Sequence, residues 1–362
     1  MGVVNTSRVA KFLACITLLI CRLSFADKQY AGADKILETF FQQHAVSGLS
    51  VSVAKEGKII WHRGLGYADL EQMVEVDPAN TKFRVASIAK VWTATALMTL
   101  VQAGKLDLND EPQKHVPDFP KKKYPFTIDQ VASHLSGIRH YRGEEPFSNL
   151  RNDNPDEALD IFKQDPLLAR PGEKQIYSSY GYLLLGKVIE NISHKSYHEY
   201  LTEAIFEPFG MNATVPDDKR KIIPHRGRYY TIENERLVNE INVDNLYKLP
   251  TGGYLSTSDD LVRFGIGVMS HAFLNDNAKK ILWTNRKALS GEEIEFGLGW
   301  RIVDAGNGDI WIGHGGGIVG GTSNFWIFPE HQLVIAAASN LSNLNYGSVL
   351  LDLRNYFIRK DP

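Results

Sequence analysis

A chain of 362 residues with 43% hydrophobic and 23% charged residues has ordinary globular composition. It is long enough to bury a sizeable core in one large domain or two. Its 40 basic and 42 acidic residues leave a net charge of −2, so nothing global points to a nucleic acid or an anionic membrane as partner.

The chain opens on a targeting pattern. Arg8 and Lys11 precede an apolar stretch from Phe12 to Cys21, and Ser24-Phe25-Ala26 places small residues where a signal peptidase reads them. Residues 1–26 are therefore expected to be a signal peptide and 27–362 the mature domain, secreted or periplasmic. The apolar stretch is short for a bilayer span, so no stable membrane anchor is expected after cleavage. A mitochondrial presequence is the alternative, since the segment is basic, carries Ser7 and Ser24, and has no acid before Asp27. Loss of Arg8, Lys11 and Arg22 with the leader leaves 37 basic against 42 acidic residues, a net of −5. Cys15 and Cys21 are the only cysteines, so the mature chain has no thiol, disulfide or cysteine metal site. No His-Glu-x-x-His or clustered His/Asp pattern follows, and neither metal nor cofactor is expected.

Ala33 to His44 reads as an amphipathic helix, with Ile36, Leu37, Phe40 and Phe41 to one side. Gly48 to Lys55 and Ile59 to Tyr67 read as a β-hairpin around Glu56-Gly57-Lys58. Ala86 to Ala103 is apolar on nearly every side, the mark of a central buried helix, and Gly104 ends it. Pro155–Lys163 and Tyr180–Asn191 are further helices. Thr257 caps another, with Asp260 as its expected capping-box partner. Phe296–Val303, Asp309–Gly313, Gly321–Phe328 and Gln332–Ser339 read as closely spaced, antiparallel strands, and Tyr346–Arg359 closes the chain as a helix. The plan is α+β. An antiparallel sheet flanked by helices (about 27–84 and 250–362) carries an inserted helical lobe (about 85–249), with a site in the cleft between them.

Three motifs carry chemistry. In Ser87-Ile88-Ala89-Lys90 the spacing puts hydroxyl and amine on one helix face, roughly 5–6 Å apart at Cβ. A serine hydroxyl needs a base to become a nucleophile, and a buried lysine loses its proton readily enough to be one. Tyr177-Ser178-Ser179 adds a phenol able to pass protons between serine, lysine and leaving group. His314-Gly315-Gly316-Gly317 lies at the end of one expected strand and before the next. The Gly317 amide, with that of Ser87, is suited to an oxyanion hole, while His314 would bring a donor or a positive charge. His140 is the other histidine to watch, because its loop borders the expected cleft. No Gly-x-Ser-x-Gly elbow is present.

Ser-x-x-Lys followed by a Tyr-x-x motif and a His-Gly-Gly motif resembles the serine β-lactamase-like family, the class C and penicillin-binding-protein-related branch. The spacing fits, with 90 residues from Ser87 to Tyr177 and 137 from there to His314. The stretches Ser133–Tyr141, Ala103–Leu108, Val116–Pro120, Arg236–Asn239 and Gly252–Thr257 resemble the mitochondrial members in animals. The resemblance implies a β-lactamase/transpeptidase-like fold, with Ser87 as nucleophile, Lys90 as base partner and Tyr177 in proton transfer. Ser179, His314, Gly316, Gly317 and the Ser87 amide would bind substrate. Ser179 stands where the family usually has asparagine, and His314 where it has lysine. Members with such changes are often esterases or peptidases. The expectation is a serine hydrolase of peptide, amide or ester substrates with weak or no β-lactamase activity. The alternative is a non-catalytic binding or filament-forming protein on the same fold, and a homo-oligomer suits either.

Overall fold

The computed structural model describes residues 29–149, 155–306 and 308–359, so the expected leader lies outside the described residues. They form two compact units, 45–345 and the terminal segments 29–44 with 346–359. In the smaller unit, helix α1 (Ala31–Gln43) buries Ala33, Leu37 and Phe40, and packs against the C-terminal helix Val349–Arg359. The ring centroids of Tyr30 and Phe357 lie 5.5 Å apart there.

The larger unit is built on an antiparallel sheet. Its first strands are β1 (Gly48–Lys55), β2 (Lys58–Asp69) and β3 (Val74–Glu75). Two short strands, β4 (Phe83–Arg84) and β5 (Val215–Pro216), pair with β8 (Tyr254–Ser256), and β6 (Tyr230–Glu233) and β7 (Arg236–Asn239) form a hairpin. The last four are β9 (Arg301–Asp304), β10 (Ile310–Ile318), β11 (Gly321–Phe328) and β12 (Leu333–Ser339). The main sheet runs β3-β2-β1-β12-β11-β10-β9, so strands from the two ends of the sequence meet at its centre. There Val51 pairs with Arg63 on one side and Ala337 on the other. β1 and β12 are buried almost throughout, which explains why they read as continuous small and apolar runs.

Three further helices position the site. They are α2 (Ala89–Gln102), α3 (Ser179–Ser193) and α4 (Ser258–Met269). α2 is buried on all sides, and α3 packs along it. Trp92 of α2 meets the edges of Phe206, Tyr254 and Phe264 at 5.2, 5.5 and 6.2 Å between centroids. α4 covers β1 and β12, and the interface holds a polar strip in which Ser258 bonds to Ser50 and Ser52. Ser52 donates to Asp259, which also faces His62 Nδ1 at 3.0 Å. The hydrogen bond to Asp259 raises the His62 pKa above 6.5. Burial pushes the Asp259 pKa up, but the bonds from His62 and Ser52 outweigh it and bring the carboxyl below 3.8. A raised histidine stabilises fully below its unfolded pKa and loses that contribution as pH rises through its folded value. A lowered aspartate stabilises above its unfolded pKa and loses that contribution on acidification. Both contributions are present between pH 3.8 and 6.5. His62→Ala should therefore lower the melting temperature clearly at pH 5.5 and much less at pH 9. An equal loss at both would show that packing, not the ion pair, is what His62 provides.

Four local features differ from what the sequence predicts. Ser87 lies in a 3-10 turn, Ala86–Ile88, and the α-helix begins at Ala89. Residues 296–300 are not strand: Gly297 and Gly299 (φ 72°) turn the backbone so that Leu298 and Trp300 enter the core, leaving one bridge between Phe296 and Arg301. The strand expected to end at Gly313 continues through His314 to Gly317, which form the second half of β10 and pair with β11 through Phe325, Asn324, Ser323 and Thr322. Thr257 does cap α4 by accepting from the Asp260 amide, but the Asp260 carboxylate instead accepts from Ala213 N, Thr214 and Arg263.

Candidate active site

Ser87 sits where β4 runs into α2. The residue before it, Ala86, has φ 49°, a left-handed conformation that a side chain adopts only when its surroundings impose it. Those surroundings are tight. A Cβ on Gly252 would fall 3.1 Å from the Ala86 carbonyl carbon, and one on Gly316 would fall 2.5 Å from Val85 O. The turn carrying Ser87 is thus clamped between the Thr251-Gly252-Gly253 loop and β10.

One turn on, Lys90 is fully buried, and its Nζ lies 3.1 Å from Ser87 Oγ. Its other fixed partner is the Thr251 carbonyl, 3.0 Å away. No carboxylate pairs with it among the described residues, so burial alone brings its pKa down to about 7. A neutral amine at hydrogen-bond distance is able to take the serine proton. The Tyr177 phenol also bonds to Ser87, and burial pushes its pKa up, so it stands protonated at neutral pH. Lys90 Nζ lies 5.1 Å from the centre of that ring.

Three histidines surround Tyr177. The ring of His134 lies 4.4 Å from it, His140 5.4 Å and His314 6.1 Å. Burial, then the charge of Lys90, lowers the pKa of all three, to about 4 for His140 and about 3 for His314. His134 Nδ1 accepts from Ser178 N and His140 Nδ1 from Ser179 N, so each carries its proton on Nε2. His314 does the reverse and donates from Nδ1 to the Gly315 carbonyl. The expectation of a positive charge at His314 therefore does not hold: this imidazole is buried and neutral.

A cleft of about 460 Å³ opens beside Ser87. Ser87, Ser179 and Gly317 line it, and so does His140. His314 and Gly316 do not. His314 lies against a separate depression with Lys174, Phe296 and Arg301, and Gly316 packs against the Ser87 turn. Lys90 and Tyr177 are not among its lining residues. Tyr141, Glu240, Lys248 and Thr251, which lie outside the three motifs, also line the cleft. The Tyr141 phenol bonds to Ser179 and faces Thr251 Oγ1 at 3.4 Å. Lys248 Nζ donates to Pro146 O at 2.8 Å, and burial lowers its pKa to about 8. Among the described residues no group of histidine, cysteine or acidic side chains is arranged to hold a metal.

A serine–lysine pair at the head of a buried helix, facing a tyrosine and the glycine-rich edge of an antiparallel sheet, defines the β-lactamase/transpeptidase-like fold of serine hydrolases. The family described as Beta-lactamase matches residues 33–358, and the chain belongs to that family. The "Serine beta-lactamase-like protein LACTB, mitochondrial" of Homo sapiens is 30% identical over 405 residues, covering 86% of this chain and 74% of the human protein. The Mus musculus protein of that name is 31% identical over 384 residues, covering 78% and 69%. The octameric penicillin-binding protein homologue from Pyrococcus abyssi matches with a TM-score of 0.79 at 26% identity, over 92% of this chain and 78% of that one. The D-amino acid amidase from Ochrobactrum anthropi SV3 shares the fold, with a TM-score of 0.77 at 22% identity over 91% and 99%.

Proposed function

We propose that the protein is a serine acyl hydrolase acting through an acyl-enzyme on Ser87, with peptide, amide or ester substrates. The observation that carries this reading is the Lys90 amine, buried without a carboxylate, held near pKa 7 and 3.1 Å from Ser87 Oγ. Lys90 takes the Ser87 proton as Oγ attacks the substrate carbonyl. The carbonyl oxygen becomes an oxyanion and is met by the amides of Ser87 and Gly317. Tyr177, a protonated phenol bonded to Ser87, passes a proton to the departing amine or alcohol and recovers one from Lys90. Water then attacks the acyl-enzyme and gives a proton to Lys90; the acyl C–Oγ bond breaks, Lys90 returns that proton to Ser87 Oγ, and the acid departs. Neutral His314 offers no cation to the carboxylate of a penicillin, which supports weak or no β-lactamase activity.

A fluorophosphonate probe should label the wild type and fail on Ser87→Ala; equal labelling of both removes Ser87 from the mechanism. Chromogenic esters, D-amino-acid peptides and a cephalosporin then sort the substrate class. For the leader, the relatives named as mitochondrial favour the presequence alternative over secretion. Fractionation of cells expressing the full chain distinguishes the two destinations.

A further inference from the structure

A second cavity, of about 530 Å³, shares a wall with the cleft. The wall is the segment 246–252. Lys248, Thr251 and Gly252 face the cleft, while Leu246, Tyr247, Leu249 and Pro250 face the second cavity. Two consecutive carbonyls tie this wall to α2. Thr93 Oγ1 donates to Pro250 O at 2.7 Å, and Lys90 Nζ donates to Thr251 O at 3.0 Å. Tyr197, which lines the second cavity, donates its phenol proton to Thr93 Oγ1 at 2.7 Å. Pro250 is wedged against Gly186, where a Cβ would lie 2.3 Å from Pro250 Cγ.

The chemistry of this cavity is uneven. Its interior is apolar and aromatic, from Leu183, Leu249, Pro250, Tyr197 and Tyr247. Its rim is charged. Lys187 lies 3.6 Å from Glu190, and Lys195 is paired with Glu203. Asp218 Oδ1 accepts the Arg220 amide. Lys221 has no ion-pair partner among the described residues, and its charge is felt at His198 on the cavity wall, where it adds to burial in lowering the pKa.

We propose that this cavity binds a small amphipathic anion, a carboxylate at Lys221 on an apolar chain of roughly eight to ten carbons, within the usual size of a ligand pocket. Occupancy acts on the cleft through the shared wall. A neutral Lys90 has N–H groups to donate and one lone pair to offer. Donation to Thr251 O turns the lone pair toward Ser87. A ligand bracing Leu249 and Pro250 holds Thr251 O in place and so keeps Lys90 aimed. This coupling rests on Lys90 acting as the base; the binding itself does not.

The test uses the purified full chain with decanoate as the probe. Calorimetry on Ser87→Ala, and on wild type labelled at Ser87 by a fluorophosphonate, should show one-to-one saturable binding in both. Lys221→Glu should weaken that binding about fivefold or more, and Leu246→Trp, which fills the cavity, should abolish it. Saturating decanoate should raise ester turnover by the wild type about fivefold, the lower end of common allosteric couplings. The site is refuted by absent saturable binding, by binding lost on fluorophosphonate labelling, or by binding indifferent to both substitutions. Binding with unchanged turnover refutes the coupling. An inactive wild type that still binds decanoate fails the hydrolase reading and leaves the site standing.

Discussion

Lys90→Met should lower kcat/KM by about 10²–10⁴-fold, the usual contribution of a general base. It should also remove a limb from the pH profile. The base must be neutral to act, so wild-type activity rises with pH through about 7 and levels off above it. A thioether has nothing to titrate, so the residual rate of the variant should lack that limb. Persistence of the limb would assign the base elsewhere. His140 and His314, held to about 4 and about 3, are poor substitutes because they are already neutral across that range. The same substitution should stabilise the fold. An amine brought from 10.5 to about 7 by burial costs about 5 kcal/mol wherever it must be charged. The unfolded chain binds the extra proton between those two values, so the penalty is full below about pH 7 and fades toward 10.5. Thermal melts should therefore show Lys90→Met several degrees above wild type at pH 6, with the gain shrinking toward pH 10. A variant less stable than wild type at pH 6 would contradict the desolvation account.

Gly316→Ala should lower kcat by about 10²–10³-fold, the loss expected when an oxyanion donor is misplaced. The added Cβ would meet Ser323 Oγ at 2.4 Å, Val85 O at 2.5 Å and Ala86 Cβ at 2.9 Å, and two of these belong to the approach to Ser87. β10 must then retreat from the turn, and the Gly317 amide goes with it. Gly315→Ala is the control, since a Cβ there meets nothing within 4 Å and should keep activity within about tenfold of wild type. Equal, small effects at both positions would show that β10 does not set the geometry beside Ser87.

Much of the architecture was legible because it is written in local periodicity. The buried α2, the β1–β2 hairpin and the β11 and β12 runs all come within a few residues of their expected limits. His314 to Gly317 was misread because glycines weaken a strand pattern, whereas here they let β10 lie against Ser87. Thr251 escaped notice for a different reason: it holds Lys90 through a backbone carbonyl, 161 residues along the chain, and carbonyls leave no mark in a sequence. Lys248 and Glu240 likewise reach the cleft only through the course of the loop between β7 and β8.

Residue types and spacing alone determined that a serine and a lysine share one turn at the head of an apolar helix, and that a tyrosine and a glycine run follow in family order. Only the tertiary structure decided what protonation states those groups hold. Desolvation depends on everything packed around a group, and the packing around Lys90 and His314 comes from segments far apart in the chain. That burial makes Lys90 an amine near neutrality and His314 an uncharged imidazole, so the one residue is fitted to be a base and the other is not fitted to be a cation.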